Sequence, residues 1–177
     1  IVVSPLISLM KDQLGKLEEL GIRSVQVNST LNAEEEAAAL EAISLEACEI
    51  VFCTPERLVS PEFIALLKTV TLDIVVIDEA HCISQWGHDF RTAYIGLGAA
   101  IDALGKPPVL ALTATATDEV IADIGKQLGR KLNVINTGIY RPNLHYNVVQ
   151  VTNHAEKLAQ ALRLVQESRG VGIVYAA

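Results

Sequence analysis

Two acidic residues in series, Asp78-Glu79, stand directly behind the apolar run Ile74 to Ile77. A carboxylate pair at the end of a buried strand has a fixed backbone and a free side-chain edge, which suits it to face a phosphate-bound Mg²⁺. Asp78 is expected to hold that ion through water, because Mg²⁺ gives up its hydration shell reluctantly. Glu79 is expected to orient and deprotonate an attacking water. Taken alone, the pair also reads as two solvated turn carboxylates, since short acidic motifs recur by chance. Three further polar motifs close apolar runs in the same way: Ser4-Pro5-Leu6, Thr54-Pro55-Glu56-Arg57 and Thr113-Ala114-Thr115. In a parallel sheet all four ends lie along one edge, where such folds bind ligands.

The stretch after Glu79 carries a second kind of chemistry. Trp86, the only Trp, stands among Gly, His and Asp. An aromatic face there can stack on a nucleic-acid base, worth about 1–3 kcal/mol per base. Arg91 can pair with a phosphate or stack. The competing readings are a Trp86 folded back over the surface and a Phe90 anchored in the core. Asp78, His81, Cys82 and His88 also offer a set of metal ligands, but their spacing fits neither H-E-x-x-H nor a Cys/His zinc pattern. Thr113 and Thr115 can bond the carboxylates after Ile77, or serve as ordinary strand-end hydroxyls, while Thr117 reads as a helix cap. Cys48 and Cys53 read as small buried hydrophobes.

Short β-rich runs alternate with amphipathic stretches, which predicts βαβ units and a mostly parallel sheet. Strands are expected at Ile1–Val3, Ser24–Val27, Ile50–Cys53, Ile74–Ile77 and Val109–Leu112, with the last two continuous enough to be buried on both faces. Pro5 opens a helix with an apolar stripe of Leu6, Leu9, Met10, Leu14, Leu17 and Leu20, stopped at Gly21. Asn32 and Glu35 form a capping-box pattern for a helix to about Ala47. Ser60-Pro61 starts a short helix and Thr117 one to about Leu128. Arg141-Pro142-Asn143 breaks the alternation, so residues 139–152 are expected to connect a domain at 1–138 to a new βα series at 153–177, with a helix from His154 to about Ser168 and a strand at Gly172–Tyr175.

The chain of 177 residues is 50% hydrophobic and 20% charged, a globular composition without an apolar run long enough to span a bilayer. Three cysteines without a C-x-x-C pair fit a reduced interior, and the expected location is cytoplasmic, nucleoid-associated in a bacterium. A net charge of -7 argues against a wholly basic surface while leaving room for a local cationic groove. Ile1-Val2-Val3 and Val174-Tyr175-Ala176-Ala177 read as strands cut from a longer chain, with no signal peptide expected.

Asp78-Glu79-Ala80-His81-Cys82-Ile83-Ser84-Gln85-Trp86-Gly87-His88-Asp89-Phe90-Arg91 resembles, without a break, the DEAH box and aromatic-rich loop of the RecQ family of ATP-dependent DNA helicases, in superfamily 2. Ser4 to Gln13 is similar to that family's motif Ia and Thr54-Pro55-Glu56-Arg57 to its motif Ib. Leu112 to Thr117 resembles motif III, and Arg141-Pro142-Asn143-Leu144 the segment leaving the first motor domain. The resemblance implies an α/β, RecA-like fold of the P-loop NTPase type, with its N-terminal part missing and a second RecA-like domain beginning near the end. It implies ATP and Mg²⁺ as cofactors, 3′ to 5′ movement on single-stranded DNA, and unwinding of duplex or forked DNA. Asp78, Glu79 and His81 take the catalytic positions, with His81 relaying between nucleotide and loop. Trp86, His88, Phe90, Arg91, Thr113 and Thr115 take the DNA-binding and coupling positions, and Ser4, Gln13, Thr54 and Arg57 line the DNA path. Arg57 reads equally as a surface ion-pair partner.

No G-x-x-x-x-G-K-[ST] occurs in the sequence, so the chain by itself is expected to be inactive, with the P-loop Lys and the arginine finger outside it. Thr92 stands where the family has Pro and Ile95 where it has Arg, while Tyr94 and Leu97 follow the pattern; Ala176-Ala177 replace a polar pair. The other readings are a DEAH-type motor acting on RNA and a non-catalytic nucleic-acid-binding module.

Overall fold

A computed structural model describes residues 1–136, 138 and 141–175. The chain divides into two compact units, residues 1–133 and 134–177. In the first, the β-branched runs form strands β1 (Val2–Val3), β2 (Ser24–Val27), β3 (Ile50–Cys53), β4 (Val75–Ile77) and β5 (Val109–Ala111). They build one sheet in the order β2-β3-β1-β4-β5, with every pairing parallel. Parallel neighbours need helical crossovers, supplied by α1 (Ile7–Glu19), α2 (Ala33–Ser44), α3 (Pro55–Leu58), α4 (Pro61–Leu67) and α5 (Leu97–Ala103); α6 (Asp118–Gln127) follows β5. This is the α/β fold expected from the alternating pattern.

The caps are those that the side chains dictate. Asn32 and Glu35 bond each other's backbone N–H, each at 2.9 Å, which starts α2. Ser60 accepts from Phe63 N–H at 3.4 Å with Pro61 as the first residue of α4, and Thr117 accepts from Val120 N–H at 3.4 Å to start α6. The core between sheet and helices is filled by residues such as Val3, Ile43, Leu58, Phe63, Ile77, Leu97, Ile101 and Ile124.

Three elements of the first unit differ from expectation. Helix α1 begins at Ile7 rather than at Pro5, and Leu6 and Leu20 lie beyond its ends, exposed, so that Met10 alone of the predicted stripe is fully buried. Helix α2 stops at Ser44 because Glu46 turns left-handed at φ 50°. Strand β5 forms an edge of the sheet instead of a doubly buried centre, which leaves Leu110 and Leu112 exposed.

In the second unit, Asn153 accepts from Glu156 N–H at 2.9 Å and starts α7 (His154–Glu167), as the sequence predicts. Gly172–Tyr175 is not a strand, since no neighbouring strand pairs with it among the described residues. Ala176-Ala177 and part of the expected connector lie outside the described residues.

Candidate active site

The register of the sheet assembles the site. Val3 lies opposite both Cys53 and Ile77, and Ile77 opposite Ala111. The next residue of each strand therefore falls in one row: Thr54, Ser4, Asp78 and Leu112. Backbone bonds extend the ladder past the strand ends, from Ser4 N–H to Cys53 O (3.0 Å), Asp78 N–H to Val3 O (2.8 Å) and Leu112 N–H to Ile77 O (2.8 Å). The row predicted from the four polar motifs exists.

Asp78 is fixed on both oxygens. Oδ2 accepts from the Ser4 hydroxyl at 3.1 Å and Oδ1 from Glu79 N–H at 3.0 Å. An ionised carboxylate offers about four lone-pair positions, so two remain for metal-bound water. An oxygen-only donor of this kind, partly exposed at a strand end, fits a hydrated Mg²⁺. Behind it, the buried Tyr94 hydroxyl donates to Asp78 O at 3.2 Å. Burial pushes the Tyr94 pKa far above its ordinary value, which keeps the donor proton in place.

Glu79 adopts the left-handed region at φ 48° and ψ 45°. For a residue with a Cβ this costs on the order of 1–3 kcal/mol, and such strain gathers at functional sites. The turn swings the chain into a short 3-10 helix, Ala80–Ile83, buried throughout. His81 Nδ1 lies 3.2 Å from Glu79 Oε2 and 3.0 Å from Thr113 Oγ1. One partner only accepts; the other, a hydroxyl, donates or accepts. The imidazole can thus donate to Glu79 when Nδ1 carries a proton and accept a hydrogen bond from the Thr113 hydroxyl when it does not. Thr113 and His81 meet as a pair, whereas among the described residues no carboxylate bonds Thr113. The Thr115 side chain stays exposed, and its backbone N–H donates to Thr113 Oγ1 at 3.1 Å.

The aromatic-rich loop follows. Trp86 is 79% exposed, so it does not fold back over the surface. His88 stacks on His81 with ring centroids 4.3 Å apart. Phe90 is half-buried and outside the core. Arg91 is held by Asp89 Oδ2 at 3.0 Å from Nη2 and reaches Pro5 O at 3.5 Å from Nη1. To bind a phosphate, its guanidinium must exchange Asp89 for the ligand.

The motif Ia and Ib residues turn inward more than expected. Ser4 is fully buried against Asp78, and Thr54 is buried as the cap of α3, accepting from Arg57 N–H at 3.4 Å. Arg57 pairs with Glu36 of α2 and lies 5.4 Å above the Phe63 ring, which realises the ion-pair reading. Gln13 lies on α1, partly exposed.

The rival metal set does not form. The ligand atoms that converge, to within 4.8 Å, belong to His81, Cys82 and Asp89. Parallel stacking of His88 on His81 keeps the two rings from directing lone pairs at one ion. Burial also pushes the Cys82 thiol up to about 11, against the thiolate that a metal needs. Cys53 is buried and raised to about 12, consistent with a hydrophobic role.

The sequence gives no periodic signal for Tyr94 as the support of Asp78; it marks the residue only as one that keeps the family pattern in the loop's downstream arm.

The DEAD/DEAH box helicase family matches residues 1–124. The chain belongs to that family. Among its helicase relatives, the ATP-dependent DNA helicase RecQ of Bacillus subtilis is 47% identical over 180 residues, covering 100% of this chain and 30% of the relative. The probable ATP-dependent DNA helicase RecS of Bacillus subtilis is 44% identical over 181 residues, covering 99% and 35%. RecQ of Pasteurella multocida is 36% identical over 176 residues, covering 99% and 28%. The resemblance to RecQ helicases is thus borne out along the chain, which spans about a third of these relatives' length. A crystal structure of the DUF1998 helicase MrfA bound to DNA superposes with a TM-score of 0.52 at 20% identity, over 73% of this chain and 18% of that one. That likeness shows a shared fold and, with the family match, bears out the RecA-like architecture.

Proposed function

We propose that this chain is the DEAH-box portion of a RecQ-type motor that couples ATP hydrolysis to 3′ to 5′ movement on single-stranded DNA and to unwinding of duplex or forked DNA. The observation that carries the reading is one continuous segment. It leads from carboxylates at the end of a central parallel strand, through His81 and its contact with Thr113, to an exposed Trp86. ATP with its Mg²⁺ supplies the phosphoryl bond that is hydrolysed. Asp78, oriented by Ser4 and Glu79 N–H, would hold the ion through its water shell. Glu79 orients the attacking water and takes its proton. His81, bonded to Glu79 and Thr113, ties that event to the loop. Trp86 stacks on a base, and Arg91 exchanges Asp89 for a phosphate. Residues 1–138 form part of the first motor domain, 139–152 a connector and 153–177 the opening of the second.

The activity belongs to a protein of the relatives' length that carries a Gly-Lys-Ser or Gly-Lys-Thr loop, which this sequence lacks. The test is ATP turnover by that longer protein, with and without single-stranded DNA. Glu79→Gln is expected to lower turnover by about 10²–10⁴-fold, the usual contribution of a positioned general base. Full turnover in Glu79→Gln would remove Glu79 from the general-base role, and a DNA-binding protein that hydrolyses nothing would replace this reading with that of a binding module.

A further inference from the structure

A second tie, independent of His81 and Thr113, joins the loop to the arm that follows β5. Ser84 ends the buried 3-10 turn and is itself fully buried. Its hydroxyl donates to Asp123 Oδ2 of α6 at 2.7 Å. Its oxygen accepts from Trp86 N–H at 3.2 Å. Asp123 is in turn steadied by Gln127, whose Nε2 donates to Oδ1 at 3.3 Å. The other end of this chain of bonds is rigid: a Cβ on Gly98 would stand 2.4 Å from Gln127 O, so α5 and α6 are in backbone contact there.

These bonds have a direction. A hydroxyl has one proton, and a charged acceptor commits it strongly. With that proton held by Asp123, the lone pairs of Ser84 are turned toward the Trp86 amide. Removing the carboxylate releases the rotor and leaves a buried O–H without a partner. Helix α6 starts at Asp118, capped by Thr117, directly after the stretch whose Thr113 touches His81. The segment from 113 to 127 therefore grips the DEAH turn at His81 and the loop base at Ser84.

We propose that Asp123 is a positioning residue of the motor: through Ser84 it sets the Trp86 backbone, and so transmits the state of the Thr113 arm to the DNA-sensing loop. The inference rests on the motor reading above. Asp123 touches neither nucleotide nor DNA in this role. It acts by holding a hydroxyl that holds an amide.

The test has two arms. In this chain Trp86 is the only Trp, so its fluorescence anisotropy and acrylamide quenching report the loop directly. Asp123→Ala is expected to lower the anisotropy and raise quenching. Asp123→Asn, which keeps an acceptor oxygen, is expected to stay near the unsubstituted chain. In the longer protein, Asp123→Ala is expected to lower DNA-stimulated ATP turnover by about tenfold, within the range found for residues that modulate coupling without touching a ligand. DNA-free turnover should hold, and Asp123→Asn should restore most of the stimulation. Ser84→Ala combined with Asp123→Ala should be no worse than either alone, since both break one link.

Unchanged Trp86 anisotropy in Asp123→Ala would overturn the proposal. So would a parallel loss of DNA-free and DNA-stimulated turnover, because that is what a purely structural residue produces. Asp123→Asn and the melting temperature of each variant separate misfolding from mispositioning. If the unsubstituted longer protein shows no DNA stimulation while Asp123→Ala still loosens Trp86, the motor reading is the error and the positioning stands.

Discussion

The base and the tip of the aromatic-rich loop are neighbours in sequence and opposites in environment. At the base, Ala80 to Ser84 are buried, and the polar groups of His81 and Ser84 are engaged with Thr113, Glu79 and Asp123. At the tip, Gln85, Trp86, His88 and Asp89 are exposed, and the indole of Trp86 stands in solvent. The base uses its bonding capacity on the protein; at the tip, where Asp89 holds Arg91 and His88 stacks on His81, the exposed indole of Trp86 is the face left open. The sensing role proposed for the loop needs both, because an exposed aromatic informs the site only if its backbone is fixed to something that moves with the site.

The contrast is open to attack from the base first. A Cβ on Gly87 would stand 2.3 Å from His81 O, in backbone rather than in a flexible side chain. Gly87→Ala is therefore expected to destabilise the fold by about 1–3 kcal/mol, the usual cost of overpacking, read as a lowered melting temperature. An unaltered melting temperature would show that the base yields easily and that the two regions differ less than their burial suggests.

The tip should behave in the opposite way. Trp86→Ala is expected to leave stability within about 0.5 kcal/mol, as for other exposed positions. In the longer protein it should weaken single-stranded DNA binding by about 1–3 kcal/mol, measured by titration at fixed salt. A large loss of stability instead would make Trp86 a structural residue. The smallest effect is expected where the base supports the carboxylates. Tyr94→Phe removes one hydrogen bond to Asp78 O, worth about 1 kcal/mol of stability, and the phenyl ring keeps its packing. Chemical denaturation of the two chains side by side would measure it, and an effect several times larger would mean that Tyr94 anchors far more than one carbonyl.

Much of this was legible in the residues because the signals were local. The apolar runs and the caps at Asn32, Ser60 and Thr117 mark the elements, and the polar residues that end the runs mark the row at the sheet edge. What escaped depends on distance along the chain. Ser4 looked like a group free to meet DNA, and Arg57 like either such a group or an ion-pair partner; each is bound by a partner far away in sequence, Asp78 and Glu36. Asp123 sits in an amphipathic helix as one more polar residue, and nothing in its surroundings announces Ser84. The outer position of β5 was hidden for a related reason: strand order is a property of the sheet, whereas Val109–Leu112 alone shows only that it is apolar.

The left-handed turn at Glu79 bears on how this protein would respond to selection for hardiness. Glycine is at ease in that conformation, and asparagine more so than glutamate. A screen for heat-resistant variants should therefore recover Glu79→Gly and Glu79→Asn among its winners, each robust and each without the carboxylate proposed as general base. On the proposed role of Glu79, robustness and turnover draw on the same backbone angle, so any programme to toughen the protein has to score activity at every round.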